Sequence, residues 1–323
     1  MPILDMPLAQ LKAYTGVNEC PEDLDAFWDE GIAEMEALGT DCTLIPAPLQ
    51  LQGAACFDLY FTGVGGARIH AHLVRPAHLA KPVPAVARFH GYSGSCGSFM
   101  SDLGYAAAGM ICAAMDCRGQ GGKSEDPAVI HGNTFRGHIV RGLDESDPRK
   151  LYFRNVFLDT AQLARILMAM PEVDAGRVGA IGGSQGGGLT LACAALTPTL
   201  NRCAPSVPFL CDYRRVWEMD LDQNAYQELR DYFRWFDPRH EREEAVFTRL
   251  GYIDAHNMAH RIRARTRMYT GLMDNICPPS THFAAYNRIP AEKDMRLYPD
   301  FGHELLPGQD DDALQFMAEM LRD

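Results

Sequence analysis

The sequence predicts an α/β fold built on a mostly parallel central sheet with helices on both faces, and three observations carry that prediction. Short apolar runs alternate with helical patterns through most of the chain, the runs look like strands buried on both faces, and 47% hydrophobic with 22% charged residues suits a well-filled core. A length of 323 residues fits one large domain with insertions.

The elements follow in order. Leu24, Phe27, Trp28, Ile32 and Met35 recur at helical spacing in an N-terminal arm spanning residues 1–45. FDLYFTG and ARIHAHLVRP flank Gly65 and Gly66 and predict an antiparallel hairpin. Six apolar runs then read as buried strands: PAVARFH (84–90), GMICAAMD (109–116), GRVGAIGG (176–183), CAPSVPFL (203–210), RTRMYTGL (265–272) and DMRLYPD (294–300). Two segments exceed ordinary loop length. Residues 118–152 read as a surface excursion, and residues 211–263, with EMDLDQNAYQELRDYFRWF, as a helical lid or packing insert. The expected organisation is a single domain over 1–323 carrying the arm and these two inserts.

Charge and composition exclude several functions. A formal net charge of -12 and no long basic run argue against nucleic acid. No segment reaches the roughly 20 apolar residues that span a bilayer. The opening MPILDMPLAQ lacks the pattern of a secretory signal, so a cytoplasmic location is expected. Ten cysteines without CxxC pairs suit reduced thiols better than disulfides or a zinc site, and no metal is expected.

In such sheets ligands lie beyond the carboxyl ends of the strands, so candidate residues are sought just after the runs. GGSQG, residues 182–186, stands between a predicted strand and a predicted helix. This is the GxSxG setting of the α/β-hydrolase fold, where a sharp turn exposes a serine, here Ser184. The bland alternative is a glycine-rich turn that merely packs helix on sheet.

A serine hydroxyl needs a base. Of eleven histidines, His303 follows the last strand, where this fold brings its base. His70 and His72 share a face of an early strand and read as ordinary polar positions; His90 reads as loop support. His131, His138, His240, His256, His260 and His282 read as solvated surface. Asp274, after RTRMYTGLMD, is the candidate orienting acid, and Asp300, close to His303, competes with it. Oxyanion donors are expected from the backbone N–H groups of Gln185 and of Tyr92 in HGYSGS. In DCRGQGGKSED, Arg118 suits loop support or carboxylate binding, with support favoured.

Together HGYSG, RGQG, GGSQGG, DNICPPST and FGHE resemble carbohydrate esterase family seven, the acetyl xylan esterases and cephalosporin C deacetylases. MPILDMPLAQLKAYTG, LYFRNVFLDT and VPFLCDYRR extend the resemblance over nearly the whole chain. It implies deacetylation of short acetylated xylo-oligosaccharides and of cephalosporin C without a metal or organic cofactor, a ring-shaped hexamer, and a side ability to make peracids. Its triad falls on Ser184, Asp274 and His303, its oxyanion donors on Tyr92 and Gln185, and its remaining signature positions on Arg118, Gly119, Gln120 and Glu304. The loop SGSCGSFM departs from the family, which often has an asparagine after the tyrosine. Two other readings stand beside this one: a peptidase or acyltransferase on the same fold, and a non-catalytic scaffold that keeps the turn as structure.

Overall fold

A computed structural model describes residues 4–132 and 137–322. Its strands are β1 (Cys42–Pro46), β2 (Ala54–Gly63), β3 (Ala67–Pro76), β4 (Val83–Phe89), β5 (Ile111–Met115), β6 (Val173–Gly183), β7 (Arg202–Ser206), β8 (Arg265–Gly271) and β9 (Lys293–Tyr298). They form one sheet in the order β1-β2-β3-β5-β4-β6-β7-β8-β9. The pairs from β1 to β5 through β2 and β3 are antiparallel, and every pairing from β5 to β9 is parallel. This is the α/β-hydrolase fold, as expected from the sequence.

Strand β4 is where the winding reverses: β5 packs on one side of it and β6 on the other. Such a reversal leaves a crevice beyond the carboxyl ends of the two strands, because the connections depart to opposite faces. The loops after β4 and β6 meet there.

The runs of β4, β5, β7 and β8 are buried almost throughout, the edge strand β9 only in part, and successive side chains serve different cores. Along β4, Ala85, Ala87 and Phe89 join the larger core, formed with the helices Leu24–Glu36, Tyr152–Ala169 and Gln185–Leu196. Val86 points the other way, into a smaller core with Phe316 and Met317 of the helix Gln309–Ala318. On the arm, Trp28 is fully buried, stacks on Phe157 and donates from its indole N–H to the Tyr252 carbonyl at 3.0 Å.

Three expectations change. The arm is not helical to residue 45: Cys42–Pro46 is an edge strand whose last four residues are exposed, so it shows no apolar alternation to read. The run at 203–210 stops being a strand at Ser206, because Val207 turns to a φ of 36°. The segment 118–152 is not a plain surface excursion, since Arg118, Ile139, Val140 and Leu151 are buried. Within 211–263 lie the helices Tyr213–Glu218, Gln227–Phe236, Glu243–Leu250 and Ala255–Met258. Among the described residues no helix is long and apolar enough to cross a membrane.

Candidate active site

Ser184 stands between β6 and the helix Gln185–Leu196 with φ 57° and ψ −119°, a left-handed conformation that costs a non-glycine residue about 1–3 kcal/mol. The surroundings enforce it. Its N–H donates to the Ser206 carbonyl at 2.9 Å, and its own carbonyl accepts from Gly187 and Phe209, both at 2.9 Å. The helix start also lies so close to β4 that a Cβ on Gly186 would overlap the Phe89 carbonyl oxygen. Close approach of backbone to backbone is therefore what the glycine after the turn provides.

His303, in the loop after β9, lies against this serine: its Nε2 is 2.9 Å from Ser184 Oγ. Its Nδ1 is 2.8 Å from Asp274 Oδ2. A carboxylate can only accept, so Nδ1 carries the proton and the Nε2 lone pair faces the hydroxyl. Asp274 is fully buried, and its Oδ1 accepts from the backbone N–H groups of Ile276 at 2.9 Å and Cys277 at 2.8 Å. Asp300 is exposed in the turn after β9, while Asp274 holds the imidazole. Of the two acids weighed for this place, Asp274 is the one that meets His303. A cavity of about 620 Å³ opens over this group, lined among others by Phe89, Tyr105, Ser184, His303, Glu304 and Leu305.

Of the remaining sequence candidates Glu304 lines this cavity, whereas Tyr92, Gln185, Arg118, Gly119 and Gln120 stand outside its lining. Gln185 is the first residue of its helix, where backbone N–H groups have no partner within the helix. Tyr92 lies in the tight loop after β4, closed by the Gly94 N–H to the Gly91 carbonyl at 3.0 Å, and its hydroxyl donates to Glu228 Oε1 at 3.0 Å. His90 does serve this loop: its Nδ1 meets the Gly91 carbonyl at 2.7 Å, and its Nε2 accepts from the Cys117 N–H at 3.0 Å. Burial lowers the pKa of His90, which favours the neutral ring this arrangement uses.

The RGQG segment braces the site from behind. Arg118 forms a buried bidentate pair with Asp159, with Nε to Oδ2 at 2.7 Å and Nη2 to Oδ1 at 2.6 Å, and reaches the Val64 carbonyl at 3.1 Å. Gly119 takes a φ of +63°. Gln120 pairs with the Gln185 side chain and donates to the Tyr152 hydroxyl at 3.1 Å, which in turn donates to the Arg118 carbonyl. The Gly121 N–H donates to the Gly94 carbonyl at 3.0 Å, so this segment also holds the Tyr92 loop. Glu304 is exposed and accepts from the Gly302 N–H at 3.0 Å.

Other histidines differ from expectation. His256 and His282 are fully buried rather than solvated, because the helices that carry them press those faces against neighbours. Burial drops the pKa of His282 to about 4. His70 and His72 are buried on β3, and His70 sits between Asp116 and Asp58 at 2.6 Å from each. Among the described residues three groups bring ligand-type atoms near one another: Asp58, His70 and His72; His70, Cys96 and Asp116; and Asp212, Asp254 and His256. None includes the residues around the cavity. Sequence reading missed Glu228, Tyr152 and Asp159. Glu228 carried a usable signal, since it lies four residues before Tyr232 and so on the apolar face of its helix.

The acetyl xylan esterase (AXE1) family profile matches residues 1–320. The chain belongs to the acetyl xylan esterase family. This is the family that the sequence motifs resemble. Acetyl xylan esterase 1 from Thermoanaerobacterium sp. JW/SL YS485 is 55% identical and superposes with a TM-score of 0.96, covering 98% of this chain and 99% of that one. Acetyl xylan esterase from Paenibacillus sp. R4 is 38% identical with a TM-score of 0.93, covering 97% and 99%. A curated relative, acetyl esterase Axe7A of Xylanibacter ruminicola, is 28% identical over 297 residues. That match takes in 90% of this chain, and the chain spans 64% of the relative's length.

Proposed function

We propose that this acetyl xylan esterase family member is a serine esterase that removes acetyl groups from short acetylated xylo-oligosaccharides and related small esters, cephalosporin C among them. The observation that supports it is the placement of His303 between Ser184 and Asp274, at 2.9 and 2.8 Å. As Ser184 Oγ attacks the ester carbonyl, His303 Nε2 takes its proton, and Asp274 stabilises the imidazolium through Nδ1. The backbone N–H groups of Gln185 and Tyr92 receive the charge that develops on the carbonyl oxygen. The tetrahedral adduct collapses, His303 protonates the departing sugar alcohol, and the acetyl group stays on Ser184. Water, deprotonated by the same imidazole, then releases acetate. The chain's own side chains and backbone amides, with water, supply every step.

Family membership and the names of the two similar solved structures favour acetylated xylan fragments as the alcohol side. We further propose a homo-oligomer, a hexamer, acting in the cytoplasm; a single monomeric mass in light scattering would remove the assembly. The function is tested by comparing turnover of acetylated xylose, cephalosporin C, longer-chain esters and short peptide amides, with Ser184→Ala as control. Acetyl esters should lead, and the variant should be inactive. Full activity of Ser184→Ala on an acetyl ester would end the proposal.

A further inference from the structure

Glu228 is a carboxylate the chemistry above leaves unused, yet it is only 1% exposed. It belongs to the helix Gln227–Phe236 in the insert, while its partners come from two other parts of the chain. Oε1 accepts from the Tyr92 hydroxyl at 3.0 Å and from the His138 N–H at 2.9 Å; Oε2 accepts from the Val140 N–H at 3.2 Å. Gly137 approaches so closely that a Cβ there would overlap the carboxyl group. Burial pushes the Glu228 pKa up, and the donors on residues 138–140 and the Tyr92 hydroxyl oppose that rise. A buried acid is costly to keep, so its contacts define what it holds. It holds the backbone of residues 138–140 and the phenol of Tyr92, whose ring also packs edge-on against Phe209 at 5.7 Å and near His138 at 5.4 Å.

The phenol and the N–H of Tyr92 leave the same Cα, in a loop kept tight by the Gly91–Gly94 turn and by the φ of 53° at Ser93. A phenol that shifts therefore re-aims the amide. We propose that Glu228 is a positioning residue for ester hydrolysis: by holding the Tyr92 hydroxyl it sets the direction of the Tyr92 N–H, and so couples the helical insert to the oxyanion pocket. The inference rests on the function proposed above and adds a residue to it. Removing an oxyanion donor outright costs about a hundredfold to a thousandfold in turnover, so misaiming one should cost about ten- to a hundredfold. Because the charge exists only beyond the ground state, the loss falls on kcat and leaves KM nearly unchanged.

The test uses the full chain with Tyr92→Phe, Glu228→Gln and both together, acting on 4-nitrophenyl acetate. Turnover is expressed per serine labelled by a fluorophosphonate, so misfolded protein does not count. A trifluoromethyl ketone, which adds to Ser184 as an oxyanion, gives a second readout. Each single change should lower kcat about ten- to a hundredfold, weaken the ketone by a similar factor, and add nothing when combined. The inference is overturned if Tyr92→Phe keeps kcat within twofold, if ketone affinity is unmoved while kcat falls, or if the two losses multiply. Tyr92→Phe alone decides the matter should Glu228→Gln not fold. An active Ser184→Ala control would instead strike the proposed function itself.

Discussion

The side chains of Gln120 and Gln185 form a reciprocal amide pair, each Nε2 donating to the other's Oε1 at 3.0 Å. Gln185 follows Ser184, and Gln120 belongs to the RGQG segment, so the pair fastens the start of the helix that follows Ser184 to the loop after β5.

Gln120→Leu breaks that pair and leaves a buried amide short of partners, which costs about 1–3 kcal/mol. The expected result is a lower midpoint in urea unfolding together with a fall in kcat at little change in KM. A variant with unchanged midpoint and unchanged kcat would show that the pair holds nothing.

Arg118 and Asp159 are almost fully inaccessible, at 1% and 0% exposure, and removing one partner strands the other charge. Asp159→Ala should therefore lose about 3–5 kcal/mol of stability, as read from denaturant unfolding. Replacing both residues with apolar ones of similar volume should recover much of the loss. Failure of the double variant to improve on the single one would assign the loss to packing instead of charge.

Glycines flanking Ser184 should differ in tolerance. A Cβ on Gly183 meets nothing within 4 Å, whereas one on Gly186 runs into the backbone oxygens of Phe89 and His90. Gly183→Ala is expected to fold with a melting temperature near that of the parent. Gly186→Ala is expected to fold poorly or to melt far lower, as circular dichroism would record.

The pKa of His282 is held down at about 4 by burial, against an ordinary value near 6.5. Between those values the unfolded chain binds a proton that the folded chain does not, so stability is complete above about pH 6.5 and falls as pH drops toward 4. Its two ring nitrogens have no hydrogen-bond partner, so an apolar replacement loses no hydrogen bond. His282→Leu should keep or raise stability at pH 7 and reduce the acid slope by up to about 1.4 kcal/mol per pH unit. An identical slope in denaturation measured from pH 7 to pH 4 would contradict it.

Legibility in the sequence followed how local each cause is. β4 to β8 could be read because they are mostly buried and rich in apolar residues, β9 from its short run beside a turn, and Ser184 because the glycines around it report a close backbone approach. Cys42–Pro46 escaped because an exposed edge strand has no pattern to show. The contest between Asp274 and Asp300 needed geometry, since both follow strands at the same edge of the sheet. The partners of Glu228 lay furthest from reach: its contact with Tyr92 spans 136 residues of sequence, and its contact with Val140 spans 88. His282 misled because residue type says polar, whereas packing of its helix decides exposure.

The reversal of winding at β4 has a bearing on how such enzymes diversify. The loop that carries Tyr92 and the turn that carries Ser184 leave neighbouring rungs of one ladder, about 4.8 Å apart by the geometry of main-chain pairing. That spacing belongs to peptide groups common to every amino acid, so substitutions at positions that line the cavity, such as Ser101, Leu305 and Leu314, can reshape its mouth while Ser184 and the Tyr92 loop stay in step.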